Sequence, residues 1–271
     1  MIRFDSETQA YLRDEIINGP DQCYPTGVEV VDYLLGLDGL TQGDLVLLSA
    51  PTGVGKTTLL CIMMMSMAGL YPNDKFLFIG TEQTEKEIYS KLLSIENHIS
   101  INELRKGHIN NFKEIGDNIY FQYFENDKFD VIDCIKKAHD EGFKFVFYDY
   151  LGAILDATND KEWAALEMQA DALKRLANKT DMIIFTATQT SNNIEELEKE
   201  PKIYNQRFLA NSKGIARKCS VCFILARNIG KDSNDFNVTL DLYKNRHGEA
   251  PKRVKFKLDY EFGEISWLIT K

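Results

Sequence analysis

The segment SAPTGVGKTTLL, residues 49–60, limits the possible folds of this 271-residue chain more than any other stretch. It contains the phosphate-loop pattern, in which Ala50 is followed by four residues and then by Gly-Lys-Thr. The apolar run LVLLSA before the loop predicts a strand, and the apolar run after it predicts a helix. A strand, a glycine-containing turn and a helix in this order indicate an α/β fold that binds phosphate where the helix begins.

Each residue type in the loop has a chemical role. Glycines let backbone N–H groups turn inward and surround phosphate oxygens. The pattern predicts that Lys56 reaches the β- and γ-phosphates and that the hydroxyl of Thr57 ligates Mg²⁺. The sequence therefore predicts ATP and Mg²⁺ as ligands, bound by Thr52, Gly53, Val54, Gly55, Lys56, Thr57 and Thr58.

Strand-like and helix-like segments alternate after the loop, which predicts parallel strands joined by helical crossovers. The strand-like runs are 45–50, 75–80, 119–124, 144–150 and 182–188, and the helical runs are 57–68, 83–95, 101–107, 128–140 and 162–178. After Val221 helical patterns disappear, and successive short strand-like runs predict an antiparallel extension at one edge. The predicted α/β fold is a mostly parallel, twisted sheet flanked by helices.

The composition narrows the class of protein. With 44% apolar and 27% charged residues, the chain matches an ordinary soluble domain. A net charge of −9 argues against a generally basic surface, although a local groove can still hold nucleic acid. The longest apolar run, residues 59–70, is too short to cross a bilayer, and we find no secretory signal. We therefore expect a cytoplasmic protein without membrane contact and with core thiols, not disulfides, at Cys23, Cys61, Cys134, Cys219 and Cys222.

Two acidic residues and a glutamine follow other predicted strands. Asp149 ends the run KFVFYD, where a carboxylate can support Mg²⁺. Glu82 comes at the end of the strand after the phosphate-loop helix, and Gln189 ends the run MIIFTATQ. Alternatively, Glu82 is an acid favoured by the dipole of the next helix, and Gln189 is an exposed loop residue. The spacing of these residues leaves both alternatives open.

The order of motifs resembles that of the RecA-like motor domain of the DnaB-type replicative helicases. The segments that carry the resemblance are, in chain order, APTGVGKTT, TEQT, FYDYLGAI, FTATQTSNN and YKNRHG. The resemblance extends from Tyr24 to Trp267, nearly the whole chain. It implies that residues 24–271 form one RecA-like P-loop ATPase domain.

The same resemblance implies a role for each singled-out residue. Glu82 would activate the attacking water, Asp149 would serve Mg²⁺, and Gln189 would couple nucleotide state to a DNA-facing loop. Lys244 and Arg246 match a Lys-x-Arg-x-Gly element that enters the ATP site of the adjacent subunit in a hexameric ring. An arginine supplied by a second molecule accelerates phosphoryl transfer by about 10³–10⁵-fold in GTPases. Alternatively, both residues are exposed cations beside a turn at HGEAPK.

A long polar loop follows Gln189 and is rich in cations toward its end. The resemblance implies that this loop holds single-stranded DNA, and polar side chains and backbone amides there can contact phosphates without reading bases. Where the family commonly has an Arg-Glu-Ser-Gly-like run, this chain has Ala-Asn-Ser-Lys-Gly, so Lys213 is the candidate substitute for the arginine. A solvated basic surface is the alternative. The candidate DNA-binding residues are Arg207, Asn211, Ser212, Lys213, Gly214 and Arg217.

Residues 1–23 precede the predicted motor domain. The capping-box spacing from Ser6 to Gln9 predicts a helix over residues 6–17. We expect this helix to be a linker arm that docks on a neighbouring copy, with no domain before it. The partners implied by the resemblance are single-stranded DNA, further copies of the chain, and a primase or a loader. The usual platform for a primase would then be missing.

Three functions fit these patterns. The first, which the full set of motifs favours, is an ATP-dependent translocase on single-stranded DNA that unwinds duplex DNA as a ring. The second is a RecA- or KaiC-like oligomeric ATPase of recombination, repair or regulation that does not separate strands. The third is an ATP-gated scaffold or loader that binds a partner and no DNA.

Overall fold

Strands and helices alternate along the chain in the computed structural model, which describes residues 9–10, 23–36, 39–107, 111–124, 130–151, 160–189, 213–227 and 237–268. The described strands are β1 (Cys23–Tyr24), β2 (Leu40–Thr41), β3 (Leu45–Ala50), β4 (Lys75–Gly80), β5 (Ile119–Tyr123), β6 (Phe143–Asp149), β7 (Ile183–Gln189), β8 (Val221–Arg227), β9 (Asn237–Asn245), β10 (Lys252–Asp259) and β11 (Glu264–Trp267). The described helices are α1 (Glu29–Leu35), α2 (Lys56–Leu70), α3 (Glu85–Asn97), α4 (Ile101–Lys106), α5 (Val131–Asp140), α6 (Asp160–Thr180) and α7 (Lys213–Lys218).

Nine of these strands form one sheet in the order β11-β10-β9-β8-β3-β7-β6-β4-β5. The strands from β8 to β5 in this order run parallel to one another. Strands β9, β10 and β11 pair antiparallel with their neighbours. The predicted parallel sheet with a C-terminal antiparallel extension is confirmed. The extension begins at β9, because β8 pairs in parallel with β3.

Helices cover both faces of the sheet and bury its apolar side chains. On one face α1, α2 and α3 enclose a core that includes Phe76, Phe78 and Phe145. On the other face α5, α6 and α7 enclose a second core around Leu47 and Ile184. A parallel sheet that is covered on both faces favours continuous apolar strands. For this reason every residue of β3 is buried.

Helix α2, which follows the phosphate loop, lacks the polar stripe of an ordinary surface helix. All residues from Leu59 to Met65 are buried. A helix that is apolar on all sides has to be enclosed by its neighbours. The enclosure fixes the position of the first turn of α2, and therefore the position of the phosphate loop that leads into it.

The predicted strands and helices are present, with ends displaced by at most three residues from the predicted bounds. The sequence patterns did not predict α1 or the small sheet in which β1 pairs with β2. The predicted helix over residues 6–17 lies outside the described residues, except for the helical Gln9 and Ala10. Nothing among the described helices has both the length and the apolarity that a membrane crossing requires.

The thiols are unpaired, as expected. All five cysteines are free, and Cys61, Cys219 and Cys222 are buried. Burial raises the pKa of Cys61 and of Cys219 to about 12. Buried thiols with raised pKa values are poor nucleophiles and poor metal ligands, because the thiolate is the reactive form. The CxxC spacing of Cys219 and Cys222 therefore reflects core packing.

Candidate active site

Four adjacent strands end at one edge of the sheet and bring the predicted catalytic side chains together. In the order β3-β7-β6-β4, the first strand leads into the phosphate loop. The second ends at Gln189, the third ends at Asp149, and the fourth is followed by Glu82. The carboxyl ends of parallel strands form the usual ligand-binding edge of an open α/β sheet. The structure thus assembles residues that are far apart in the sequence.

The phosphate loop turns through two glycines with positive φ angles, 78° at Gly53 and 99° at Gly55. Side chains other than glycine rarely adopt this conformation. Thr52 and Gly53 are exposed, whereas Val54 and Thr58 are buried. The loop therefore presents its backbone outward at its tip and anchors its two ends in the core, which suits backbone contacts with phosphate oxygens.

The ammonium of Lys56 folds back over the loop. Its Nζ donates hydrogen bonds to the carbonyl oxygens of Ala50 and Pro51, at 3.2 and 3.3 Å. Burial lowers the pKa of Lys56, and the negative charges of Asp149 and Glu82 partly offset this effect. A charged amine held by two neutral carbonyls in a partly buried position is well suited to exchange them for anionic phosphate oxygens.

Tyr260 lies against the phosphate loop, and no sequence pattern pointed to it. Its hydroxyl donates to the carbonyl oxygen of Val54 at 3.0 Å. A β-carbon placed on Gly55 would come within 2.5 Å of the Tyr260 ring. The Arg227 guanidinium stands over the same ring, 5.9 Å from its centre. The turn after β10 thus supports the loop, and Gly55 is required both for its φ angle and for this close approach.

Asp149 is bound to the residue that the phosphate-loop pattern assigns to Mg²⁺. The Thr57 hydroxyl donates to its carboxylate at 2.5 Å. Burial raises the pKa of Asp149, while the hydrogen bond from Thr57 and the charge of Lys56 act in the opposite direction. Mg²⁺ prefers oxygen ligands and commonly takes one or two protein groups together with substrate phosphates. A hydroxyl and a carboxylate in contact fit that requirement.

No dedicated protein cage for a metal ion is present in the described part of the chain, where no three His, Cys, Asp or Glu side chains are grouped closely enough. This agrees with a cation that arrives with the nucleotide, because Mg²⁺ in such sites retains waters and substrate oxygens.

Glu82 is exposed and lies one residue beyond an anchored threonine. The backbone N–H and the hydroxyl of Thr81 donate to the carbonyl oxygen of Asp149, at 3.1 and 2.9 Å. Helix α3 is capped by Thr84 and Glu87, which form a reciprocal capping box. Glu82 lies outside this box, so the alternative that it serves as a helix-capping acid finds no support in the geometry.

Two further residues border this group. Burial raises the pKa of Tyr150, and the charge of Glu82 together with a hydrogen bond to it raises that pKa further. Gln189 is half-buried and pairs with Ala50 across the β3–β7 ladder. The glutamine therefore stands beside the first residue of the phosphate-loop pattern, and it does not lie in an exposed loop.

Arg246 lies at the opposite edge of the sheet. Val221 at the start of β8 pairs with Asn245 on one side and with Val46 on the other. The end of β9 is therefore level with the start of β3, whereas the phosphate loop follows the end of β3. The six residues of β3 span about 20 Å. This length separates the exposed Arg246 from the phosphate loop of its own chain.

The neighbours of Arg246 are fixed within the chain. The Lys244 ammonium donates to the carbonyl oxygens of Ala216, Arg217 and Cys219, at 3.1, 2.9 and 2.6 Å. The ring nitrogen Nε2 of His247 lies 2.9 Å from a carboxylate oxygen of Asp44, which is buried and immediately precedes β3. Asn245 binds the backbone of His247 and of Leu35 through its side chain. This turn therefore presents Arg246 from a fixed base.

The candidate DNA-binding residues lie largely outside the described residues. These are Arg207, Asn211 and Ser212, together with the side chain of Lys213. Helix α7 begins at Lys213, and Arg217 is exposed. A β-carbon on Gly214 would come within 2.3 Å of the Glu167 carboxylate, so α7 packs closely on α6. Lys218 pairs with Asp171 of α6 at 3.0 Å, which holds the other end of α7.

Comparison with known proteins was decisive. A family model described as the DnaB-like helicase C terminal domain matches residues 24–265. The chain belongs to this family. No curated protein matches it at a significant level. The DnaB-like assignment agrees with the resemblance that the motifs indicated.

Solved structures agree on the fold. The chain superposes on a solved ATPase domain of a DnaB-like helicase with a TM-score of 0.75 and 18% identity, covering 97% of each chain. It superposes on "The Structure Of A DnaB-Like Replicative Helicase And Its Interactions With Primase" with a TM-score of 0.74 and 18% identity, covering 99% of this chain and 68% of that one. The predicted RecA-like ATPase fold of the DnaB helicases is confirmed.

Proposed function

We propose that this DnaB-like protein is an ATP-driven translocase on single-stranded DNA that separates duplex strands as a ring of identical copies. One observation carries the proposal above the others: Arg246 lies about one strand length from its own phosphate loop, at the opposite edge of the sheet. An arginine in that position can serve only the nucleotide of another copy. ATP hydrolysis would then be a property of the assembly.

The residues around the phosphate loop divide the reaction among them. The loop backbone and Lys56 bind the phosphates, and Thr57 and Asp149 hold Mg²⁺, which when bound lowers the negative charge on those phosphates. Glu82 accepts the proton of the attacking water, a role that its exposed carboxylate beside Asp149 suits. Arg246 of a neighbouring copy stabilises the charge that develops on the transferred phosphoryl group.

A contact between the Arg246 edge of one copy and the phosphate-loop edge of the next is heterologous. Contacts of this kind produce closed rings or open spirals, depending on the rotation between copies. The family resemblance adds the expectation of a hexamer. Single-stranded DNA would be held by the loop that ends at α7. A primase and a loader are further proposed partners, because one similar structure is a helicase described with its primase.

The proposal is tested by ATP turnover per protomer, measured over a range of protein concentrations with and without oligo-dT. Sedimentation under the same conditions gives the state of assembly. We expect turnover per protomer to rise with assembly and to rise again with oligo-dT. Fully dissociated protomers that hydrolyse ATP as fast as assembled ones would contradict a shared active site.

Strand separation is tested separately, on a fork with a 5′ single-stranded tail. We expect unwinding that depends on ATP and that is abolished by Lys56→Ala. Turnover stimulated by DNA without unwinding would favour a RecA- or KaiC-like ATPase. An absence of any effect of DNA on turnover would favour a scaffold or loader.

A further inference from the structure

The short helix α7 is joined to the strand that carries Arg246. Lys244 at the end of β9 donates to the carbonyl oxygens of Ala216, Arg217 and Cys219, all within 3.1 Å. These carbonyls belong to the last turn of α7 and the residue just beyond it. Carbonyls at the end of a helix have no partner within the helix, and a cation there is favoured by the helix dipole.

The contact uses the whole hydrogen-bonding capacity of the lysine. An ammonium has three N–H donors and no acceptor. Three carbonyl oxygens at 2.6 to 3.1 Å occupy all three donors of Lys244. A phosphate of a neighbouring copy could bind this ammonium only if these bonds broke. Arg246, by contrast, is exposed, and its guanidinium can reach outward.

A second connection joins the same two segments through the backbone. The N–H of Arg246 donates to the carbonyl oxygen of Ser220 at 3.1 Å. Ser220 is buried, and its hydroxyl accepts a hydrogen bond from Lys174 at 2.6 Å. The stretch between α7 and β8 is therefore bound on one side by Lys244 and Arg246 and on the other by the helix α6.

We infer that Lys244 is a positioning residue within its own subunit and not a second cation for the neighbouring nucleotide. It connects the helix that ends the candidate DNA loop to the turn that presents Arg246. This inference rests on the proposed function, since the DNA loop and the role of Arg246 belong to that proposal. A displacement of α7 by DNA would pass through Lys244 and Ser220 to Arg246, and from there to the ATP site of the next copy.

Hydrogen exchange of backbone amides tests the structural part without requiring activity. In Lys244→Met we expect the amides of residues 217–220 to exchange about tenfold faster or more, because local opening no longer breaks three charge-assisted hydrogen bonds. Arg246→Ala and Lys255→Met, which changes an exposed lysine on the adjacent strand β10, should leave this exchange unchanged. Unchanged exchange in Lys244→Met would overturn the inference, whether or not the proposed function holds.

Turnover with and without oligo-dT tests the coupling. In Lys244→Met we expect the ratio of the two rates to fall about fivefold or more, a typical size for coupling between sites. Asp171→Asn loosens the other attachment of α7, the ion pair with Lys218, and should lower the same ratio without altering Lys244. Lys244→Arg retains a cation and should restore part of the ratio. A wild-type ratio in both Lys244→Met and Asp171→Asn would overturn the inference.

Discussion

The hydroxyl of Thr57 lies 2.5 Å from the carboxylate of Asp149, and this hydrogen bond joins the phosphate-loop helix to the neighbouring catalytic strand. The two residues are distant in sequence and meet because β6 ends at the same edge as β3. The bond has an energetic consequence. It compensates only in part for the burial of the Asp149 charge, so the carboxylate remains a site of stored instability.

We therefore expect Asp149→Asn to be more stable than the wild type at neutral pH in the absence of nucleotide, while losing ATP turnover. Burial raises the pKa of Asp149 above its ordinary value. A raised pKa means that protonation stabilises the folded state; this contribution is complete below the ordinary pKa of 3.8 and is lost as pH rises through the raised value. The difference in melting temperature between variant and wild type should shrink as pH falls.

Asp133→Asn provides a control of opposite sign, because the hydrogen bond from Lys136 lowers the pKa of that exposed carboxyl group. This variant should lose a little stability at neutral pH and none below the ordinary pKa. A stability difference for Asp149→Asn that stays constant over the whole pH range would show that burial of its charge has no net cost.

Glu82→Gln should lower the rate of ATP hydrolysis by about 10²–10⁴-fold, the usual range for loss of a general base. Binding of ATP should persist, because Glu82 is not part of the phosphate loop. Single-turnover hydrolysis and nucleotide binding measured on the same sample separate the two effects. Glu85→Gln changes an exposed acid in the first turn of α3 and should leave both unchanged. Normal hydrolysis in Glu82→Gln would assign the base to another residue.

Mixing of two inactive variants tests whether Arg246 acts on another copy. Arg246→Ala should lower turnover by about 10³–10⁵-fold, as in GTPases that lack their arginine. Lys56→Ala should be inactive because its own phosphate loop fails. In an equal mixture about a quarter of the heterologous contacts would combine an intact loop with an intact arginine, so hydrolysis should return. No recovery in mixtures that do assemble would place the action of Arg246 within one subunit.

A pair of glycine substitutions in the phosphate loop should differ in cost. Gly53→Ala introduces a side chain at positive φ with open space around it and should cost about 1–2 kcal/mol. Gly55→Ala adds a collision with the Tyr260 ring and should cost about 1–3 kcal/mol more. Urea unfolding without nucleotide measures both values. Equal losses would show that Tyr260 moves away at no cost.

Lys213→Ala should weaken binding of single-stranded DNA to a similar degree for every sequence. A contact with phosphate adds about 0.7 to the slope of log affinity against log salt, so the variant should lose about that much slope. Fluorescence anisotropy with oligo-dT and a mixed-sequence strand gives both quantities. Lys255→Ala, on β10, serves as the control. A strong dependence on base sequence would contradict a phosphate contact.

The fold was largely predictable because its signals are local. Apolar strands such as residues 45–50 and the helices between them have lengths and periodicities that neighbouring segments do not disguise. Helix α1 was missed because its seven residues, Glu29–Leu35, are too few to display a helical repeat. The pairing of β8 with β3 was also not predictable, since strand order depends on contacts between distant segments.

The site was predictable where a motif fixes residue type and spacing, as at Lys56 and Thr57. It was not predictable where a residue acts through a distant surface. Tyr260 reaches the phosphate loop only because β10 ends at the same edge as β3, and nothing in its own neighbourhood indicates this. The sequence also grouped Lys244 with Arg246 from their spacing, whereas the structure gives one of them three partners within the chain and leaves the other exposed.

The placement of Arg246 and the phosphate loop at opposite ends of β3 gives each protomer a polarity. An open row of copies joined through this contact would always end with one unfinished pocket and, at the other extremity, one idle arginine. Closure removes both defects in a single step. Encircling a strand would thus complete the last pocket at the moment when the strand is captured.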